Sequence, residues 1–292
     1  MVEQNPFNET FDADHDRALI ERATAGSRNA LNELLRRHHN FVYNIALKML
    51  GSVPDAKDAT QDILIKLLTH LAKYDPARAQ FRTWLYRIAF NHLLNVKRSA
   101  PEQIIRSFPQ FFEFVGDVPD DLSLMDEPDF GILTNEMKFK CLSGMLMCVP
   151  REDRLLYIVG DLFRVNHRLG AELFELTPAN FRKKLSRIRQ QLRQWMHNRC
   201  GLVNPDNPCR CAKKTRGFIE RGIVDPKNLV WDKEFSRRIR DYSEANLEPA
   251  LRTSDRMVAQ LHGDFPFKED RPAGELLDEL LRDDQLREIV QM

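Results

Sequence analysis

The sequence has no run of apolar residues that approaches the roughly 20 residues of a membrane-spanning helix. Its first residues, Met1 to Thr10, are polar and acidic, and they lack the basic stretch followed by an apolar one that marks a secretory signal. Charged residues make up 30% of the chain. These features predict a soluble protein with no membrane association, and they make the cytoplasm its expected location.

Several structural and catalytic signatures are also missing. No segment alternates apolar and polar residues over a length that would suit a strand, and there is no tandem repeat or low-complexity tract. The sequence contains no glycine-rich phosphate loop, no nucleophile elbow and no His-Glu-x-x-His pair. We therefore predict an all-α protein that is not an enzyme.

The net charge of +1 conceals two segments of opposite sign. The stretch from Thr177 to Arg193 carries these cations and no acid: Arg182, Lys183, Lys184, Arg187, Arg189 and Arg193. Ordinary solvated helices mix charges to form i,i+4 pairs, so a helix with cations alone favours a negatively charged ligand such as nucleic acid over a merely solubilising role.

The opposite segment is acidic. Between Ser107 and Asn135 there are seven acids and no Lys or Arg: Glu113, Asp117, Asp120, Asp121, Asp126, Glu127 and Asp129. Prolines interrupt this part of the chain, so residues 100–131 are predicted to be an acidic flexible linker. The linker also holds four phenylalanines, which we expect to dock on this protein or on a partner: Phe108, Phe111, Phe112 and Phe114.

Helix signals divide the chain. Ser27 is placed to cap a long second helix that ends at Gly51, and Pro54 to begin a third. A fourth helix has an apolar side that includes Phe81, Leu85 and Ala89, and a polar stripe of Arg87, Asn91 and Arg98. Taken alone, that stripe is more typical of a solvated face than of a binding site.

Two shorter helices follow the linker and a pair of apolar helices. Asn166 is placed to cap the first, which reaches Phe174, and Thr177 with Pro178 begins the second, which is the cationic one. Two helices joined by a short turn, the second of them basic, indicate a DNA-binding helix-turn-helix.

With these residues in view, the chain resembles the extracytoplasmic-function group of bacterial RNA polymerase sigma factors. Region 2 of that group is similar to LNELLRRHHNFVYNIALKMLGSVPDAKDATQDILIKLLTHLAKYD followed by FRTWLYRIAFNHLLNVKR. Region 4 is similar to VPREDRLLYIVGDLF followed by AELFELTPANFRKKLSRIRQQLR. The resemblance implies a region 2 helical bundle over residues 1–99, the linker over 100–131, a region 4 helix-turn-helix over 132–199 and a helical extension of unknown role over 200–292.

The resemblance also implies partners and roles. Core RNA polymerase would be bound by the third helix, through Asp55, Asp58, Gln61, Asp62 and Lys66. Promoter DNA would be bound through Arg87, Asn91, Arg98, Thr177, Asn180, Arg182, Lys183, Lys184 and Arg187. The loop from Tyr74 to Phe81 would capture a flipped base of the minus-ten element, Asn91 would lie on the face that reads this element, and the basic helix would read the minus-thirty-five element. The linker would thread the active-site and RNA-exit channel of the polymerase. An anti-sigma factor is a further possible partner.

Two residues depart from the family pattern. Glu175 stands where the family usually has a turn glycine, and Gly170 stands where it usually has an apolar core residue. A left-handed backbone at Glu175 would cost about 1 kcal/mol for a residue other than glycine. We therefore expect a helix-turn-helix whose turn differs in detail from that of the family.

The family pattern ends near Trp195, before a loop rich in cysteine. His197, Cys200, Cys209 and Cys211 form a legitimate set of tetrahedral zinc ligands, although the usual paired Cys-x2-Cys knuckles are absent. The alternative is three free cysteines in a small loop, with no cofactor required. Cys141 and Cys148 lie in an apolar helix and are predicted to be core residues.

The rest of the extension leaves its role open. It contains Lys213, Lys214 and Arg216, an amphipathic segment from about Lys233 to Leu261, and a terminal helix with an acidic polar side. One prediction is that the acidic tail competes with DNA for the basic helix, and the other is that the extension buttresses the second domain. For the whole chain, the alternative function is a helix-turn-helix regulator that is not a polymerase subunit.

Overall fold

The computed structural model describes residues 6–7 and 11–230. The amphipathic segment from about Lys233 to Leu261 and the acidic terminal helix, with Asp278, Asp283, Asp284 and Glu288, lie outside the described residues. In the described ranges every regular element is helical, and the only β-type pairing is an isolated bridge between Cys200 and Cys209. The predicted all-α class is therefore confirmed. No helix in these ranges combines the length and apolar character needed to cross a membrane.

The first part of the chain forms four helices and a 3-10 turn. These elements are α1 (Ala13–Thr24), α2 (Arg28–Leu50), α3 (Val53–His70), the 3-10 turn (Leu71–Lys73) and α4 (Phe81–Asn95). The Ser27 hydroxyl accepts a hydrogen bond from the Ala30 amide at the start of α2, and Gly51 ends that helix with a φ of +65°. Pro54 lies in the first turn of α3. Local capping chemistry therefore sets these boundaries, as the sequence predicts.

The rest of the described chain forms seven helices and a π-helical turn. These are α5 (Ala100–Ile104), α6 (Phe108–Gly116), α7 (Phe130–Met147), α8 (Arg151–Tyr157), the π turn (Ile158–Leu162), α9 (His167–Leu173), α10 (Pro178–His197) and α11 (Cys211–Glu220). The presence of α5 and α6 differs from the prediction of a flexible linker over 100–131.

The described residues form two compact units. One comprises the positions up to 98 together with Phe163–Phe181, and the other comprises Ser99–Leu162 together with positions 182–230. The grouping of contacts therefore differs from the expected boundaries, because α9 and the start of α10 belong to the first unit.

The first unit has its core around α2, which packs against α1, α3 and α4. Its centre is made of fully buried aliphatic side chains such as Leu34, Ile45 and Ile63. Helix α4 is buried on more sides than its apolar stripe predicts, because Tyr86 and Phe90 are buried as well as Phe81, Leu85 and Ala89. The first unit is thus a helical bundle that leaves only narrow strips of α3 and α4 exposed.

The second unit is held together by a buried ion cluster and by aromatic stacking. The Glu102 carboxylate, 4% exposed, accepts hydrogen bonds from Arg151 and Arg154 at 2.6–2.9 Å. Phe108 stacks on Trp195 with ring centroids 5.5 Å apart, and Phe112 lies 6.1 Å from the same indole. The phenylalanines of the predicted linker therefore dock on this protein.

Candidate functional site

Helix α3 presents a charged strip along one exposed line. Asp58, Asp62 and Lys66 follow one another at intervals of four residues, and all three are exposed. Asp55 and Gln61 flank this strip and are half-buried. The opposite side of α3, which includes Ala59, Ile63 and Leu67, is buried in the first unit. The packing therefore orients all five residues that the resemblance assigns to polymerase binding on the outer part of one helix.

His92 of α4 ties this strip to the neighbouring helix. Its Nδ1 lies 2.7 Å from the Lys66 Nζ, and its Nε2 lies 3.7 Å from an Asp62 carboxylate oxygen. Burial lowers the pKa of His92, the Lys66 charge lowers it further, and Asp62 opposes both effects. His92 is thus neutral near pH 7, and its Nδ1 accepts a hydrogen bond from the Lys66 ammonium group. This contact holds Lys66, the residue at the C-terminal end of the charged strip, against α4.

The polar stripe of α4 contains two exposed residues and one that is half-buried. Asn91 and Arg98 are exposed, and the Asn91 carbonyl accepts a hydrogen bond from the Asn95 amide. Arg87 is half-buried, and its guanidinium donates to the Glu172 carbonyl at 2.7 Å and lies 3.6 Å from a Glu175 carboxylate oxygen. Sequence reasoning missed this contact, which joins α4 to the end of α9 inside the first unit.

The loop between α3 and α4 folds over a small aromatic cluster. Tyr74 lies 5.5 Å from Phe81 and 5.3 Å from Trp84 between ring centroids. The Tyr74 hydroxyl donates to the Ala79 carbonyl at 3.1 Å, and the Asp75 carboxylate accepts from the Ala77 amide at 2.9 Å. These contacts give a defined shape to the loop that the resemblance assigns to base capture.

The turn between α9 and α10 has the strained residue that the sequence predicts. Glu175 has a φ of +54°, in the left-handed region that favours glycine. Gly170 lies against the Phe181 ring, and a Cβ added there would be 2.4 Å from a ring carbon. The second departure from the family pattern thus has a steric reason, since the Phe181 ring occupies the place of a larger side chain.

Helix α10 exposes most of the residues assigned to DNA binding. Thr177 caps the helix by accepting a hydrogen bond from the Asn180 amide at 3.2 Å. Arg182, Lys183 and Arg187 are exposed, while Phe181, Leu185, Ile188 and Leu192 form the buried stripe.

Three of the cations on α10 have an acidic neighbour. Lys184 is half-buried and lies 3.9 Å from Asp153 of α8, and Arg187 lies 3.7 Å from the other oxygen of the same carboxylate. The Arg187 side chain is 69% exposed, so this ion pair is screened by solvent and easily exchanged. Arg189 instead binds Asp161, whose side chain is buried, while the Arg189 side chain is itself 43% exposed.

The cysteine loop does not bring the predicted zinc ligands together as a set. Cys200, Cys209 and Cys211 line a small apolar cavity of about 20 Å³, but the fourth cysteine lining it is Cys141 of α7. His197 does not line the cavity; its side chain is exposed, and its carbonyl accepts a hydrogen bond from Asn207 at 2.7 Å. Sequence reasoning assigned Cys141 to the core and missed its place beside the loop.

Burial dominates the chemistry of these thiols. Burial, with smaller contributions from neighbouring thiols, raises the pKa of Cys200 to about 11 and that of Cys211 to about 12. Across residues 6–7 and 11–230, no three His, Cys, Asp or Glu side chains are placed where they could hold a metal ion. The structure therefore does not bring His197, Cys200, Cys209 and Cys211 together around one point, and zinc at this loop stays a prediction.

The first half of the chain contains a region that matches a known protein family. The model of sigma-70 region 2 matches residues 34–101. That range begins inside α2, contains α3 and α4 and ends in α5. It nearly coincides with the region 2 stretch that the sequence resembles.

Full-length relatives extend this similarity. The chain is 26% identical over 188 residues to the ECF RNA polymerase sigma factor SigE of Mycolicibacterium smegmatis, and the alignment covers 64% of this chain and 66% of that protein. It is 25% identical over 182 residues to the ECF RNA polymerase sigma-E factor of Haemophilus influenzae, covering 61% of this chain and 93% of the relative. For SigW of Bacillus subtilis the identity is 21%, over 61% of this chain and 95% of the relative.

These alignments leave more than a third of the chain unmatched. Over the part that these comparisons cover, the chain is similar to the extracytoplasmic-function (ECF) group of RNA polymerase sigma factors.

Proposed function

We propose that this chain is a non-catalytic, cytoplasmic subunit of RNA polymerase that recognises promoters, assists in melting them and so directs initiation. One observation carries this proposal: a single chain contains both a region 2 helical bundle and a helix-turn-helix whose second helix is cationic. A DNA-binding regulator that is not a polymerase subunit would need only the helix-turn-helix. The bundle therefore supports the sigma-factor function over that alternative.

Core polymerase is the first proposed partner, bound through α3. Asp58, Asp62 and Lys66 form an exposed line of two acids followed by a cation, and the half-buried Asp55 and Gln61 flank it. Such a strip suits a helical partner surface with complementary charges, because charge complementarity fixes register and orientation. An anti-sigma factor, the other proposed protein partner, would act by covering the same strip.

The minus-ten element of promoter DNA is the proposed ligand of α4. Asn91 is exposed, and an amide side chain can both donate to and accept from the Watson–Crick edge of an unstacked base. Arg98 would contact the phosphates nearby. Arg87 can reach DNA only by releasing Glu172 and Glu175, so we propose that it acts mainly by holding α9 against α4.

The minus-thirty-five element is the proposed ligand of α10. Thr177 caps this helix and Asn180 lies in its first turn, where side chains and backbone amides suit phosphate contacts. Arg182, Lys183 and Arg187 are exposed further along the helix, and an arginine there can bind a guanine edge in bidentate fashion. Lys184 is half-buried and would reach only the backbone.

Zinc at the cysteine loop stays a prediction. Because His197 is exposed and Cys141 joins the other three cysteines, the four-cysteine set is the one that a metal analysis should address. Measuring zinc in the purified full-length chain, with a Cys141→Ser variant beside it, would decide whether any metal is present in stoichiometric amount.

A core-binding assay tests the proposed function. Asp58→Lys combined with Asp62→Lys reverses the exposed strip without touching the buried side of α3, so we expect loss of core polymerase binding in a chain that still folds. The matched control is Asp14→Lys with Glu21→Lys, which makes the same charge change on exposed positions of α1. Wild-type affinity in the α3 variant would contradict the assignment of this surface.

A further inference from the structure

Helix α11 of the extension covers one segment of the predicted linker, residues 114–123. The central contact is apolar. Val118 is fully buried, and a Cβ added at Gly217 would lie 2.4 Å from its Cγ1, so only glycine allows α11 to approach this closely. Phe114 packs edge-on against the buried Phe218, with ring centroids 6.2 Å apart. These contacts fix the position of α11 on the segment.

Backbone groups of the segment are bound by side chains of α11 and of the residue after it. Lys214 is 8% exposed, and its Nζ donates to the Val118 carbonyl and, at 3.5 Å, to the Gly116 carbonyl. Arg221 donates to the Asp117 carbonyl at 2.8 Å, and its guanidinium lies over the Phe114 ring. The segment is irregular after α6, so α11 supplies partners that a helix would otherwise provide within itself.

The acids of the segment face cations of α11 at the rim of this contact. Asp120 lies 3.1 Å from Lys214 and 3.4 Å from Lys213, and Asp121 lies 3.4 Å from Arg216. The Asp121 amide also donates to the Lys213 carbonyl at 2.8 Å. The Asp120 side chain is 49% exposed and that of Arg216 is 41% exposed, so solvent and salt weaken these ion pairs.

We propose that α11 is an intrachain clasp that holds the acidic segment 114–123, and that core polymerase must displace α11 to use this segment. This inference rests on the proposed sigma-factor function. A segment that combines Asp120 and Asp121 with Phe114 suits a cationic polymerase surface, and α11 already occupies these acids, this ring and carbonyl groups of the segment. The clasp and the polymerase therefore compete for the same groups. Opening the clasp raises the affinity for core polymerase and leaves the α3 contact unchanged.

Gly217→Ala tests the apolar centre of the clasp. The added methyl group clashes with Val118, so hydrogen exchange of amides in residues 114–123 of the full-length chain should become several-fold faster, and core polymerase should bind several-fold more tightly. Ala18→Ser is the control, because this small addition lies at an exposed position of α1, which belongs to the first unit. Exchange and binding in the control should equal those of the wild type.

A second test exchanges the charges of an ion pair at the rim of the contact between α11 and residues 114–123. It remains informative even if Gly217→Ala does not fold. Arg216→Glu should speed exchange in the segment and tighten core binding, because it opens the rim and keeps the acids of the segment. Asp121→Arg should also speed exchange, and the double variant should return exchange towards wild type. Core binding is compared only in Gly217→Ala and Arg216→Glu, since Asp121→Arg removes one of the acids proposed to contact polymerase. Lys227→Glu, an exposed position after α11, is the control for the change in charge.

The outcomes separate the two proposals. Faster exchange together with tighter core binding supports the clasp. Faster exchange with weaker or unchanged core binding overturns it and makes α11 a buttress, while wild-type binding to core preserves the sigma-factor function. Exchange that is unchanged in every variant also overturns the clasp. If the wild-type chain itself fails to bind core polymerase, the proposed function is contradicted, and the clasp, which depends on it, is contradicted too.

Discussion

At the scale of single residues, the turn between α9 and α10 depends on Gly170. The Phe181 ring fills the space beside its Cα, so Gly170→Ala must push this ring out of the buried stripe of α10. Overpacking of this kind costs typically about 1–3 kcal/mol. We expect the free energy of unfolding to fall by that amount in urea titrations, whereas Gly116→Ala, which meets no neighbour, should stay close to wild type.

Glu102 gives the stability of the protein a pH dependence whose sign follows from its contacts. Burial raises the pKa of this carboxyl, but the hydrogen bonds and charges of Arg151 and Arg154 and the Ser99 amide outweigh burial and leave the pKa below the usual 4.5. Because the folded-state pKa is depressed, the carboxylate stabilises the fold above the usual pKa. That contribution is lost as the pH falls through the folded-state value.

Glu102→Gln should therefore lower the free energy of unfolding strongly at neutral pH and less in acid. Breaking a buried ion pair while its cations stay buried costs about 3–5 kcal/mol. Urea unfolding at pH 7 and at successively lower pH should show the gap between wild type and variant narrowing as the pH drops below 4.5. Glu127→Gln, at an exposed position, is the control. A gap that is constant with pH would show that the Glu102 carboxylate does not carry this dependence.

Residue-level features differ in how far the sequence predicts them. The left-handed φ of Glu175 follows from its place in a helix-turn-helix turn, which is a local property. The replacement of His197 by Cys141 beside the other thiols could not be foreseen, because it depends on how α7 packs against a loop some sixty residues further on. Side chains brought together by tertiary packing leave no local signal.

At the scale of helices, capping residues predict well where a helix begins and ends. The overall composition of a segment is the poorest guide to whether it is helical. Ser27, Gly51 and Pro54 set the ends of α2 and the start of α3 as expected. The segment 100–131 has acids and prolines typical of a linker, yet it forms α5 and α6, because Ser99 and Ser107 cap them and their prolines lie in first turns. The phenylalanines then supply the buried surface that a linker would lack.

The role assigned to α10 is tested by Arg182→Ala and Arg187→Ala. If either arginine reads a guanine, its removal should weaken binding to the cognate promoter by about 1–3 kcal/mol and relax the preference at one base pair. A phosphate contact would instead weaken binding to all sequences evenly and reduce its salt dependence. Fluorescence anisotropy with matched and substituted duplexes across salt separates the two. Unchanged binding in both variants would contradict an approach of this helix to DNA.

At the scale of the whole molecule, the chain combines a family module with a part that the family does not explain. Residues 34–101 match sigma-70 region 2, while α11 and the cysteine loop pack within the second unit against α7 and residues 114–123. The charge complementarity between the linker acids and Lys213, Lys214 and Arg216 is visible in the sequence, but their pairing depends on long-range packing. This packing ties the part of the extension that the structure describes to residues 114–123, as the proposed clasp requires.

The central claim is that this chain gives promoter specificity to RNA polymerase. Its most direct test is transcription in vitro from sheared genomic DNA of the source organism, with core polymerase alone, with core plus the chain, and with core plus the Asp58→Lys, Asp62→Lys variant. We predict that only the wild-type chain yields RNAs with discrete 5′ ends, and that the DNA upstream of those ends shares two spaced sequence elements. If the three reactions give the same RNAs, the account of this chain as a sigma factor is wrong.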